Sequence, residues 1–136
     1  MHLAHHAHAN WSARAIVDQI NTAVPIDAPL IIGGDFNFAS FGERIDGEGL
    51  ITNPQEQKAL DGFRAESFLV AWRDLHPAAP LPQTLRWTGD RATPFHSDGY
   101  LVRGFEASRL TCEVLLRENL DAVSDHRPVT LVYASE

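Results

Sequence analysis

The stretch Leu30-Ile31-Ile32-Gly33-Gly34-Asp35-Phe36-Asn37 decides how the rest of the chain is interpreted. Three bulky aliphatic residues followed by two glycines predict a buried strand that runs into a tight turn. Because side chains alternate along an extended chain, Asp35 and Asn37 are expected on one face and Phe36 on the other. Such a carboxylate and carboxamide can orient a water molecule and donate to a phosphoryl oxygen. Taken alone, the stretch is equally well explained as an Asx-rich turn after a strand.

The composition predicts a single globular domain, residues 1–136, without a basic surface. The net charge is −7 and the only lysine is Lys58, so the clustered cations needed for tight nucleic-acid binding are absent from the sequence. An acidic protein can still cleave phosphate esters when a divalent metal ion supplies the positive charge. The single cysteine, Cys112, excludes an internal disulfide.

Hydropathy gives no reason to place the chain in or across a membrane. No apolar run in the sequence approaches the length of a signal peptide or a membrane span. We therefore expect a cytoplasmic protein without a membrane partner.

Residues 1–8 contain four of the seven histidines. A transition-metal site needs ligands held on regular structure, whereas this segment has the composition of a loop. An interrupted series of histidines also fits a purification tag poorly. We favour a short strand end at His2-Leu3 followed by a polar loop, with a metal-binding protein built on these histidines as an alternative.

Hydrophobic spacing predicts alternating helices and strands along the chain. Apolar residues at helical spacing from 10 to 24 predict a helix that Pro25 ends. A helix between two strands is typical of a crossover, so we expect the strands at His2-Leu3 and 30–32 to pair in parallel. Two short helices and four strands follow, at 54–60 and 66–75, then at 84–88, 96–103, 109–116 and 128–133. The predicted fold class is α/β, a mixed sheet with helices on one face.

Two connections interrupt these elements. Residues 41–50 are rich in glycine and predict a loop, after which Asn53 and Pro54 are suited to the cap and the first position of a helix. Residues 76–82 hold three prolines and predict a surface connection within the same domain.

Two further polar clusters lie at the ends of predicted strands: His96-Ser97-Asp98-Gly99-Tyr100 and Ser124-Asp125-His126-Arg127-Pro128. Each cluster by itself is explained as well by a turn or a loop. Together with Asp35 and Asn37, however, the two clusters are poorly explained as separate turns.

These clusters resemble the C-terminal half of the endonuclease/exonuclease/phosphatase family, which includes pancreatic deoxyribonuclease, abasic-site endonucleases and inositol polyphosphate phosphatases. Four motifs in the family's order carry the resemblance: His-Leu at 2–3, Gly-Asp-Phe-Asn at 34–37, Asp-Gly before a hydrophobic strand at 98–102, and Ser-Asp-His-x-Pro-Val at 124–129. The resemblance implies half of the family's four-layered α/β sandwich and a metal-dependent phosphohydrolase.

The resemblance also implies catalytic roles for the matching residues. Asp35 would orient or deprotonate the attacking water, and Asn37 would donate to the phosphoryl oxygens. His126 would donate to a non-bridging oxygen, and Asp98 would lie behind its imidazole ring and fix its tautomer. His2 would be a second imidazole donor or a general acid.

The family's metal site is matched in one residue only. The resemblance implies that Asp125 helps to hold Mg²⁺ or Mn²⁺. The family's first half carries an asparagine and the glutamate that is the main metal ligand, and neither has a counterpart in this sequence.

Two functions from different classes follow. The leading one is hydrolysis of a phosphomonoester or phosphodiester, in a small molecule or a nucleic acid, with the acidic balance favouring small esters. The alternative is a catalytically incompetent half-domain that serves as a binding or assembly module. A sheet face left bare without the first half predicts a homodimer, or association with a chain that supplies that half.

Overall fold

The computed structural model describes residues 3–41 and 54–135 of the chain. The helices are α1 (Leu3–Ala23), α2 (Pro54–Ala65), α3 (Ala71–Leu75) and α4 (Glu118–Asp121), and a 3-10 turn covers Ala107–Arg109. The strands are β1 (Leu30–Asp35), β2 (Leu69–Val70), β3 (Asp98–Arg103), β4 (Leu110–Val114) and β5 (Val129–Tyr133). The predicted α/β class is confirmed. Of the loop expected at 41–50, residues 42–50 lie outside the described residues, as does the expected cap Asn53.

The first helix corrects one prediction from the sequence. Leu3 is the first residue of α1, so a strand at this position, with parallel pairing to residues 30–32, is wrong. Residues 3–10 contain no proline, glycine or β-branched residue, and alanine is the strongest helix former, so the helix extends towards the N-terminus. His2, and with it the role expected for its imidazole ring, lies outside the described residues.

Among the described residues, none of the helices combines the length and the apolar character that a membrane crossing requires.

The first sheet has the strand order β1-β3-β2, and both pairs are antiparallel. β1 is therefore an edge strand among the described strands, and the expectation that it is buried is wrong: Ile31 is 44% exposed. Gly33 and Gly34, expected to form the turn, lie within β1 and pair with Tyr100 and Gly99. The turn therefore begins only after Asp35.

Two core clusters cover the two faces of this sheet. Leu101 and Val102 point to opposite faces of β3 because side chains alternate along a strand. Leu101 packs with α1 and α2, in a cluster that includes Val17, Leu60 and Phe63. Val102 packs with Trp72 of α3 and with buried side chains of β4, in a cluster that includes Leu110 and Cys112.

The C-terminus of α2 explains why the helix predicted at 66–75 does not form as one piece. Ser67 adopts a left-handed conformation with φ 67°. Its N–H donates to the carbonyl of Arg64 and the N–H of Phe68 donates to that of Phe63, which is the Schellman pattern of a helix end. Phe63 and Phe68 are both buried in the first core cluster. The chain therefore leaves α2 and forms β2 before α3 begins.

β4 and β5 form a separate antiparallel pair. As the alternation predicts, Cys112 is fully buried while Thr111 and Glu113 are exposed. Leu116, expected on the buried side, follows the end of β4 and is 62% exposed. The predicted strand at 84–88 is reduced to isolated bridges from Leu85 to Phe95 and His126.

Candidate active site

The antiparallel register of β1 and β3 places two carboxylates side by side. Asp35, the last residue of β1, pairs with Asp98, the first residue of β3. Residues directly opposite each other in such a pair project from the same face of the sheet. The hydroxyl of Ser97 donates to Oδ2 of Asp98 at 3.0 Å, so the Asp98 carboxylate is held from its own strand.

His126 completes the group from the segment between α4 and β5. Its Nδ1 lies 3.0 Å from each carboxylate oxygen of Asp98. Because a carboxylate only accepts hydrogen bonds, Nδ1 carries the proton and Nε2 is left for a ligand. One polar atom each from Asp35, Asp98 and His126 lies within 4.8 Å of the others. The structure thus brings together three residues that are far apart in the sequence.

The charge of His126 depends on the carboxylates around it. Partial burial alone lowers the pKa of the ring, because desolvation disfavours the charged form. The hydrogen bond and the charge of Asp98, together with the charges of Asp35 and Asp125, outweigh this effect and raise the pKa of His126 above its ordinary value. A charged imidazole is suited to donate to an anionic oxygen.

The turn after β1 places Asp35 and Asn37 on the exposed side and Phe36 in the core, as the alternation predicts. Phe36 stacks on Phe41 with ring centroids 4.3 Å apart. Asn37 has φ 54°, a left-handed conformation that asparagine tolerates better than most residues. Its N–H donates to Oδ1 of Asp35 at 2.7 Å, which orients the carboxylate.

Gly33 allows the two sheets to be tied together beside this site. A Cβ atom at Gly33 would lie 2.5 Å from Cε1 of Tyr100, so only glycine leaves room for the ring. The Tyr100 hydroxyl then donates to the carbonyl of Val129 in β5 at 3.0 Å. This bond holds β5, which follows His126, against β3, which begins at Asp98.

A cleft of about 360 Å³ opens over the three clustered residues, with Tyr100 and Val123 among the residues of its wall. This volume is at the low end of ordinary small-molecule sites.

Asp125 is placed differently from the other candidates. It is exposed and lines a neighbouring depression of about 470 Å³ with Arg86 and Asp121. Asp121 is already paired with Arg127 through two hydrogen bonds of 3.1 and 3.0 Å. The role of Asp125 as a metal ligand therefore stays a prediction.

The donor set of the cleft fits a divalent metal ion. Two carboxylates converge there beside the His126 ring, and carboxylate oxygens are the ligands that Mg²⁺ and Mn²⁺ prefer. Within residues 3–41 and 54–135, the arginine ion pairs involve other acids and leave Asp35 and Asp98 without one. The negative charge at these two residues is thus offset by His126 alone, which favours a cation.

Thr84 is a residue that the sequence did not single out. It is fully buried, and its Oγ1 accepts hydrogen bonds from the main-chain N–H groups of Ser97 at 2.9 Å and Asp98 at 3.1 Å. A single threonine at the start of a predicted strand carries no signal for such a contact, because the contact depends on how distant segments meet.

No protein-family model matches the chain, and no curated protein matches it significantly. Among solved structures, the chain is similar to an AP endonuclease from Archaeoglobus fulgidus, with a TM-score of 0.70 and 19% sequence identity. The alignment covers 93% of this chain and 53% of that chain, so this chain spans about half the length of its structural neighbour. At this identity the likeness shows the fold alone: this protein has the fold of about half of that AP endonuclease.

Proposed function

We propose that the protein is a metal-dependent phosphohydrolase of the endonuclease/exonuclease/phosphatase family that hydrolyses a phosphomonoester or a phosphodiester. The observation that carries the proposal is the convergence of Asp35, Asp98 and His126 in one cleft. It is supported by the order of the family motifs in the sequence and by the likeness in fold to an AP endonuclease. That neighbour makes a nucleic-acid phosphodiester one candidate substrate, while the net charge of −7 favours a small ester.

Asp35 acts on the attacking water in this proposal. The carboxylate accepts the water proton while the water oxygen bonds to phosphorus, and the bond from phosphorus to the leaving oxygen breaks. The leaving oxygen takes a proton from solvent, so the products are an alcohol and a phosphate with one ester bond fewer. The exposed position of Asp35, oriented by the N–H of Asn37, is suited to this role.

His126 and Asn37 stabilise the charge that develops on the phosphoryl oxygens. Asp98 holds Nδ1 of His126, so that Nε2 can donate to a non-bridging oxygen. The raised pKa of His126 keeps this donor charged over a wider pH range. The carboxamide of Asn37 is the second donor.

Mg²⁺ or Mn²⁺ supplies positive charge to the phosphate when it is bound. Asp125 is the residue that the family resemblance assigns to the metal. The charges of Asp35 and Asp98 would attract the ion, while their carboxylates act on the water and on His126. Because Mg²⁺ keeps its waters unless carboxylates bind it, turnover needs the glutamate that the family resemblance assigns to the other half. This half alone is expected to bind Mg²⁺ and phosphate weakly.

We propose further that the site is completed by a second segment or chain, and that this chain alone self-associates. Core clusters cover both faces of the first sheet, so the apolar contacts left for a partner are single exposed side chains, among them Ile31 of β1 and Val132 of β5, which are 44% and 57% exposed. Light scattering of the chain and a Mg²⁺-dependent assay with bis(p-nitrophenyl) phosphate test this. A monomer with robust turnover would overturn both parts.

Phosphate binding tests the proposed function without depending on turnover. We expect inorganic phosphate with Mg²⁺ to shift the NMR signals of the His126 ring and of the Asn37 side chain, and Mn²⁺ to broaden them. In His126→Ala, the change that phosphate causes in the Asn37 side-chain signals should become much smaller. Asp27→Asn is the matched control, since Asp27 lies in an exposed turn before β1.

The outcomes separate the two candidate functions. Phosphate that leaves the His126 and Asn37 signals unmoved, in a chain that still self-associates, would favour the assembly module over the phosphohydrolase. Equal phosphate binding by His126→Ala and the unsubstituted chain would also contradict the assignment.

A further inference from the structure

We propose that Thr84 is a positioning residue that sets the distance between Asp98 and His126. Its catalytic consequence rests on the proposed function, whereas its effect on the Asp98–His126 contact does not.

The hydroxyl of Thr84 fixes the start of β3. Oγ1 accepts from the N–H of Ser97 at 2.9 Å and from the N–H of Asp98 at 3.1 Å. A hydroxyl oxygen has two lone pairs, so these two bonds use its whole acceptor capacity. The Asp98 main chain is therefore held directly by the Thr84 side chain.

The main chain of Thr84 fixes the His126 segment at the same time. Its carbonyl accepts from the N–H of Arg127 at 2.7 Å, and its N–H donates to the carbonyl of Phe95 at 2.9 Å. The next residue, Leu85, bridges to both Phe95 and His126. The segment that begins at Thr84 thus lies between the two segments that carry the acid and the imidazole.

The hydroxyl has a role here that an apolar side chain of the same shape cannot supply. Thr84 is fully buried, so no solvent replaces a lost hydrogen bond at this position. Valine has nearly the same volume but no acceptor, and would leave the buried N–H of Ser97 and the partly buried N–H of Asp98 without this partner. The N-terminal end of β3 would then have to move, and the 3.0 Å contact of Asp98 with His126 would change.

A comparison of Thr84→Val with Thr84→Ser tests this inference. The first readout is the downfield NMR resonance of the His126 Nδ1 proton, which reports the hydrogen bond to Asp98. The second is the Kd for inorganic phosphate in the presence of Mg²⁺. Thr88→Val is the matched control, because it makes the same chemical change at an exposed position of the same segment.

We expect Thr84→Val to lose or shift the Nδ1 proton resonance and to raise the Kd for phosphate about tenfold. Thr84→Ser keeps the hydroxyl and should keep both values, as should Thr88→Val. A Val variant with an unchanged resonance, or a folded Ser variant that has lost it, would overturn the inference. If the unsubstituted chain binds no phosphate, the proposed function fails, but the resonance still decides the role of Thr84.

Discussion

The two sides of the cleft differ in how firmly this chain holds them. On one side, Asp98 and His126 contact each other, and their side chains are 17% and 37% exposed. Thr84 and Ser97 hold Asp98, and the hydroxyl of Ser124 accepts from the N–H of His126 at 3.1 Å. On the other side, Asp35 lies exposed at the end of β1, an edge strand among the described strands, and the exposed Asn37 follows it in the turn.

The difference indicates which part of the site this chain prepares by itself. In the proposed reaction, a donor to a developing charge is effective when it is already oriented before reaction, and the Asp98–His126 side meets this condition. A residue that acts on water needs access to water, and the Asp35–Asn37 side provides it. The open side is also where groups from another segment can enter the site.

The largest expected effect comes from removing one residue on each side. In an assembly that hydrolyses a phosphate ester, we expect His126→Ala and Asp35→Asn each to reduce kcat by about 10²–10⁴-fold. The free energy of unfolding should change by less than about 1 kcal/mol, because Asp35 is exposed and His126 is partly exposed. Steady-state kinetics and urea unfolding measure the two quantities, with Asp27→Asn as the control. Near-normal kcat in either variant would show that the side of the cleft carrying the substituted residue takes no part in turnover.

A smaller effect is expected from Glu56, which supports the open side from α2. Glu56 is fully buried and its Oε1 accepts from the N–H of Ala39 at 2.8 Å, just after the Asp35–Asn37 turn. Glu56→Ala should lower the free energy of unfolding by about 1–3 kcal/mol, since the partly buried N–H of Ala39 loses its acceptor. Urea unfolding measures this change.

Two comparisons sharpen this prediction. Glu56→Gln keeps an acceptor oxygen and should recover part of the loss, while Gln57→Ala, at the next position of α2, should change stability by no more than about 0.5 kcal/mol. The His126 Nδ1 proton resonance should stay in place in Glu56→Ala. A resonance that moves would show that the two sides of the cleft are coupled, and would contradict the difference between them.

The smallest expected effect concerns pH. The folded pKa of His126 is raised, so the stability that it contributes is fully present below its unfolded value of about 6.5 and is lost as pH rises through the folded pKa. Asp98→Asn removes the hydrogen-bonded charge that raises this pKa. The unsubstituted chain should therefore lose stability relative to Asp98→Asn as pH rises above about 6.5. Urea unfolding at several pH values measures this difference, and a constant difference would contradict the assigned pair.

Sequence patterns predict the features that depend on neighbouring residues: a helix end, the alternation of a strand and the residues of the site. Proline at 25 ends α1, and the alternation of buried Cys112 with exposed Glu113 holds in β4. The three polar motifs within the described residues supplied Asp35, Asp98 and His126, which the structure brings together.

Features that depend on distant contacts were not predictable. The exposure of Ile31 follows from the place of β1 at the sheet edge, and no run of aliphatic residues reveals which strand is outermost. Ser67 breaks a helical pattern because Phe63 and Phe68 meet in the core. The contact of Thr84 with Asp98 joins residues from separate segments, so periodicity holds no information on it.

The pairing of Asp35 with Asp98 has a consequence for how substrate range can change over time. The register of neighbouring strands places the two carboxylates opposite each other, and in the connection of residues 36–97 they are held by Asn37, Thr84 and Ser97. Doubling the length of a flexible connection costs only about 0.6 kcal/mol in closure entropy. Under the proposed function, insertions at exposed positions of that connection, away from Asn37, Thr84 and Ser97, can therefore build a new wall of the cleft for a different ester without moving Asp35 or Asp98.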